Sequence, residues 1–230
     1  SLAFILARYE FPGKRVVSLL ALAPLIIPPF ISGMGFRLLL GPNGFLNNLI
    51  FIPLFNTQII LQGFVAICFV QTFHFYALVY LNAFSSFLNV DPSLEEQAEN
   101  LGASSFKLFF SVTLPLALPG IGAGAILVLI LSMEDVGTPI IFANMGDDMA
   151  KNYLTYYVFG NFQKAGSEAI TPEVCVLGAI LLIIALAGFF AIRKYVSLRQ
   201  YAMISKGRAG SYRMSKAGWK LIIFYPYLII

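Results

Sequence analysis

The chain has 230 residues, 59% of them hydrophobic and 11% charged, with a formal net charge of +4 and a mean hydropathy of +0.82. A soluble domain of this length needs more polar surface to cover its core, so the composition excludes a water-soluble globule and predicts an integral membrane protein. The positive charge does not indicate nucleic acid, because Lys and Arg gather in short stretches between apolar segments, as membrane topology requires.

The apolar segments read as helices, since the period-two alternation of a membrane barrel is nowhere visible. Residues 2–7 form the tail of a first span, broken by the turn from Arg8 to Arg15. A second span covers residues 16–40, interrupted by Pro24 and by Pro28 and Pro29. The turn Gly41-Pro42-Asn43-Gly44 leads through a semi-apolar loop to a third span at 57–82. After a polar insert at 91–107, a fourth span covers 115–133. Residues 134–170 form a mixed loop with room for short interfacial helices, and a fifth span covers 172–192. Thr171 and Pro172 have the pattern of a helix start. Residues 193–218 are basic and polar, and a new hydrophobic segment starts at Trp219. Because residues 228–230 are still apolar, the chain reads as a segment of a longer polypeptide.

Orientation follows from the basic residues. Arg8, Lys14, Arg15, Lys107 and the eight Lys and Arg between 193 and 220 fall in alternate inter-span stretches, twelve of the 15 in all. That side is cytoplasmic by the positive-inside rule, which also puts the 91–107 insert in the cytoplasm.

The insert carries the most specific signal. Asp91 and Pro92 suit a helix start, and Glu95 and Glu96 favour the positive end of its dipole. Leu94, Ala98 and Leu101 give that helix one apolar face, and Gly102 suits a left-handed exit. Ser104 or Ser105 is placed to cap a second short helix, whose Phe106, Phe109 and Phe110 are expected in apolar surroundings, before Leu114 and Pro115 open the next span. The spacing is Glu96-x-Ala98, three residues, Gly102, nine residues, then Val112-x-Leu114-Pro115.

That pattern resembles the EAA signature of permease subunits in binding-protein-dependent ABC importers, with Gln97 in place of the first Ala and Val112 in place of Ile. Softer stretches resemble the iron(III)-type permeases: Ala7-Arg8 through Phe11-Pro12-Gly13, Pro28-Pro29, Gly41 to Gly44, and Glu134 to Pro139. The resemblance implies an all-α polytopic bundle of the type I importer (MetI-like) kind in the bacterial inner membrane. It implies no enzymatic activity of the chain's own and no cofactor or metal. Its partners would be cytoplasmic ABC ATPase subunits, an extracytoplasmic substrate-binding protein, a second permease unit (fused or homodimeric) and the lipid bilayer. Glu95, Glu96, Ala98, Gly102, Leu114 and Pro115 would couple to the ATPase. Residues 1–192 would be one permease unit, 193–218 a cytoplasmic linker, and 219–230 the start of a second unit. Ferric iron is the implied solute; polyamines, sulfate, thiosulfate and aminophosphonates are alternatives within the class, and an ion-coupled secondary transporter is the alternative outside it.

The remaining chemistry is sparse. There is no nucleotide-binding Gly-Lys-Ser/Thr loop, so any ATP is hydrolysed elsewhere. Glu134 and Asp135 either line the mouth of a pathway or form a solvated helix end. His74, the sole histidine, lies three residues after Gln71 and is either a pathway contact or a hydrogen-bonding partner for a neighbouring helix. Gly120 and Gly124 form a small-residue step suited to close helix packing, with the interface of two permease halves as one place for it. Cys68 and Cys175 lie in apolar runs without metal-ligand or disulfide spacing.

Overall fold

Proline and glycine set where the apolar runs turn. The computed structural model describes residues 2–145, 148–165, 172–200 and 215–216. Among them every regular element is a helix, apart from a two-residue parallel pairing of Tyr9–Glu10 with Ser215–Lys216. The helices are α1 (Leu2–Arg8), α2 (Lys14–Ile26), α3 (Pro29–Leu40), α4 (Ile52–Phe55), α5 (Gly63–Leu88), α6 (Pro92–Asn100), α7 (Ser105–Leu108), α8 (Leu114–Glu134), α9 (Gly137–Phe142), α10 (Asp148–Lys151), α11 (Leu154–Ala165) and α12 (Pro172–Gln200). Three continuous stretches, Gly63–Leu88, Ser105–Glu134 and Pro172–Lys194, are long and apolar enough to cross a membrane.

Several boundaries differ from the sequence reading, each for a local reason. The expected span 16–40 is two helices bent by 101°. Pro28 is extended at φ −55°, ψ 144°, and Pro29 opens α3, so two consecutive residues without an N–H end one helix and start another. The third span begins at Gly63 rather than 57, because residues 57–62 are held in an irregular strap. The buried Asn47 side chain donates to the carbonyls of Gly41 and Ile59 and accepts from the Ile59 N–H, all at 2.9 Å. Leu61 N–H adds a bond to Leu40 O at 2.8 Å.

The fourth span begins ten residues earlier than expected. Ser105–Glu134 is one 30-residue helix, with a π-helical turn over Phe109–Thr113. Pro115 has no N–H to give the carbonyl four residues back, and the Leu114 N–H reaches Phe109 O instead. The mixed loop contains α9, α10 and α11, and α12 runs to Gln200 rather than stopping at 192. Thr171, most of the expected linker, and residues 219–230 lie outside the described residues.

The chain divides into two compact units: residues 1–23, 77–128 and 188–230, and residues 24–76 and 129–187. In the first, the buried side chains of Ile5, Leu6, Phe87 and Ala117 form the core, beside a cluster in which Phe4 meets Phe109 at 4.8 Å and Phe87 at 5.4 Å. In the second, Ala66, Ile67 and Val70 of α5 pack with Ile141, Phe142, Ala143 and Ala150.

Candidate functional site

The helix α6 is built as its sequence suggests. Asp91 caps it, Oδ1 accepting from Ser93 N–H at 2.9 Å, and Pro92 occupies the first turn. Gly102 leaves it at φ +85°. Its N–H reaches Glu99 O at 2.9 Å while Ala103 N–H reaches Ala98 O at 3.0 Å, the paired bonds of a Schellman ending. Nothing lies within 4 Å of where a Cβ on Gly102 would sit, so the backbone alone demands glycine there.

Leu94 and Leu101, from the apolar face of α6, lie outward. Its one buried residue is Glu95; Leu94 is exposed, and Leu101 is 90% exposed. On the next segment Phe106 is 76% exposed and Phe110 half exposed, their rings 4.7 Å apart, while Phe109 turns inward onto Phe4. The insert thus presents Leu94, Leu101 and Phe106 outward and a carboxylate inward.

Glu95 turns inward. Its Oε1 accepts from Arg8 Nη2 at 2.9 Å and from Thr113 Oγ1 at 2.6 Å, with all three residues buried. Glu96 is exposed on the outer face and Ala98 is half-buried beside the helix ending. Leu114 is half-buried and Pro115 exposed; their place is the register shift at the π-helical turn. Sequence reasoning did not identify Arg8 and Thr113 as partners of Glu95, since 87 and 18 residues separate them from it.

The residues named for a pathway are dispersed in their roles. Asp135 and Glu134, adjacent in sequence, separate: Glu134 is exposed, while Asp135 Oδ1 accepts from Gly137 N–H at 2.9 Å and so caps the start of α9. Asp135 Oδ2 accepts from Gln71 Nε2 at 3.1 Å. The same amide lies 3.2 Å from both Ser132 O and the Tyr153 hydroxyl, and that hydroxyl donates to Ser132 O. Thr155 Oγ1 donates to Asp135 O at 3.1 Å. Burial, followed by the nearby Asp135 carboxylate, pushes the Tyr153 phenol above its ordinary value against the opposing Gln71 hydrogen bond. His74 is buried in α5, and its Nδ1 has no hydrogen-bond partner among the described residues. Gln71, not His74, bridges to a neighbouring helix.

Gly120 and Gly124 serve close packing inside this chain. A Cβ on Gly120 would overlap the Ser86 side chain of α5, and one on Gly124 would lie 3.0 Å from Asn82 Cβ and 3.1 Å from Val79 Cα. Their packing partner within this chain is α5. Among the described residues no three His, Cys, Asp or Glu side chains gather as a metal site.

The family described as "Binding-protein-dependent transport system inner membrane component" matches residues 1–200. The chain is 31% identical over 208 residues to the molybdenum transport system permease protein ModB of Haemophilus influenzae, covering 89% of this chain and 86% of the relative. It is 32% identical to the molybdate/tungstate transport system permease protein WtpB of Pyrococcus furiosus, covering 84% and 67%. It is 26% identical to the ferric transport system permease protein FbpB of Actinobacillus pleuropneumoniae, covering 94% of this chain and 30% of that relative.

Proposed function

Because the chain belongs to the family of binding-protein-dependent transport system inner membrane components, as a multi-pass permease of the type I ABC importer kind, we propose that its α6–α7 loop is the seat of the ATPase. The observation that carries this is the outward surface of Leu94, Leu101 and Phe106 on an otherwise polar insert, continued by Phe110 on the turn that follows. In this reading Leu101 and the two Phe rings fill an apolar cleft of the ATPase. Glu96 accepts hydrogen bonds at its edge, and the Gly102 ending holds α6 at a fixed angle. Closure of two ATPase subunits on ATP draws two such loops together and opens the pathway toward a substrate-binding protein; hydrolysis reverses it. Residues 1–192 then act as one permease unit, with 193–218 a linker to a second unit beginning at 219. The test is a Leu101→Cys permease in working membranes: a thiol crosslink to the ATP-hydrolysing subunit is expected, and its consistent absence overturns the reading.

For the solute, the proposal is ferric iron. Its support is the alignment with FbpB, which covers 94% of this chain against 89% for ModB. The second reading is molybdate, favoured by the higher identity to ModB and WtpB. Uptake of labelled ferric iron and labelled molybdate by cells carrying the complete transporter decides between them. Iron uptake that outcompetes molybdate supports the first; molybdate uptake without iron uptake replaces it.

A further inference from the structure

We propose that Glu95 is a positioning residue for coupling: with Arg8 and Thr113 it clasps α6 to the end of α1 and to the π-helical turn ahead of α8, so that a push on the docking surface moves all three together. The inference rests on the docking reading of the loop, but it concerns the opposite, inward face of α6.

Glu95 is the single buried residue of α6, and it is charged. If α6 only needed to adhere to the first unit, Leu or Ala at that position would be sufficient. An apolar contact tolerates sliding and rotation, whereas a charge-assisted hydrogen bond specifies direction and distance. Here one carboxylate oxygen accepts from two segments at once, at 2.9 Å from Arg8 and 2.6 Å from Thr113. Arg8 is the last residue of α1, where the helix dipole favours a cation. Thr113 is the last residue of the π-helical turn, which runs without a break into α8. Beside the ion pair, Phe4 of α1 packs against Phe109 of the same turn and against Phe87 of α5, so a second, apolar contact joins the same segments. Buried ion pairs are poor net stabilisers compared with apolar side chains of similar volume. What this one supplies that an apolar filling does not is a fixed register between the loop and the helix that follows it.

A role in coupling and a role in folding predict different losses. Loss of a fold-holding contact lowers the amount of transporter, whereas loss of a positioning contact lowers solute uptake per ATP hydrolysed in the transporter that remains. The experiment uses the complete transporter in proteoliposomes, with its ATPase and binding protein. In Arg8→Met/Glu95→Met, apolar volume replaces both charges. The ATPase is expected to stay bound, the Leu101→Cys crosslink (read in a parallel background) to persist, and uptake per ATP to fall at least about fivefold, the lower end of ordinary coupling between sites. Thr113→Val removes only the hydroxyl and is expected to lower the same ratio by about two- to fivefold, with Thr113→Ser restoring it.

If the double variant does not accumulate, the comparison of Thr113→Val with Thr113→Ser decides. Unchanged uptake per ATP in Thr113→Val overturns the clasp. So does loss of the ATPase from either variant, because Glu95 would then act on docking itself. A missing crosslink from Leu101→Cys in the otherwise unaltered transporter sinks the docking reading instead, so the two failures are separable.

Discussion

The two units each hold a carboxylate-centred cluster, buried in the first and half-buried in the second, and they use it differently. In the first, Glu95 faces a guanidinium and a hydroxyl, so a full charge is met by a full charge. In the second, Asp135 is held by neutral donors: the Gln71 amide, the Gly137 N–H and, more distantly, the Thr138 N–H at 3.4 Å. The first cluster joins segments far apart in sequence through one oxygen. The second gathers the end of α8, the start of α9 and Tyr153 around one amide. A charge met by a charge is costly to break from one side only, while a charge met by dipoles loses a fraction at a time. The two clusters should therefore differ sharply in their response to single substitutions.

The largest effect is expected for Arg8→Met. It leaves Glu95 buried without its cation, and breaking a buried pair from one side costs about 3–5 kcal/mol. Thermal unfolding of the purified complex in detergent measures it; a loss below about 1 kcal/mol would mean that Glu95 finds water or another partner and that the clusters do not differ. Gln71→Leu tests the second cluster. Hydrogen bonds between membrane helices contribute about 1–2 kcal/mol or less, so this change should cost clearly less than Arg8→Met in the same assay. Equal losses would erase the distinction. Gly102→Ala comes next, since a left-handed backbone costs a residue with a Cβ about 1–2 kcal/mol even where space is free. Here the reading is ATPase retention as well as stability, and retention at wild-type affinity would show that the angle of α6 is not what the partner recognises.

Legibility in the sequence followed locality. The helix start at Asp91, the ending at Gly102 and the break at Pro28-Pro29 are written in neighbouring residues, and the structure shows each of them. The strap at 57–62 was not legible, because it depends on Asn47, twelve residues upstream of the Ile59 it holds. The π-helical turn was half legible: Pro115 announced a disturbance, which was read as the start of a span rather than a register shift within a longer helix. Which way α6 turns its apolar face was not legible, for a more general reason. Periodicity finds an apolar stripe but does not say what the stripe faces, and here the buried contact that α6 makes within the chain is polar. Leu94 and Leu101 lie outward and Glu95 inward, toward Arg8 and Thr113, 87 and 18 residues away in sequence.

The smallest expected effect separates two residues that are adjacent in the chain. Asp135→Ala removes the cap of α9 together with the Gln71 acceptor, and loss of a cap costs about 1 kcal/mol. Glu134→Gln changes an exposed side chain and should stay within about 0.5 kcal/mol. Stability alone then assigns Asp135 to structure and leaves Glu134 as the carboxylate available to a passing ion. Solute uptake sharpens the pair: if a cation crosses near the end of α8, Glu134→Gln slows uptake at unchanged stability, and the effect weakens as ionic strength rises because an exposed charge is screened. Uptake that is unaffected by Glu134→Gln at low salt removes the pathway role from both carboxylates, since Asp135 is already occupied by Gln71 and Gly137.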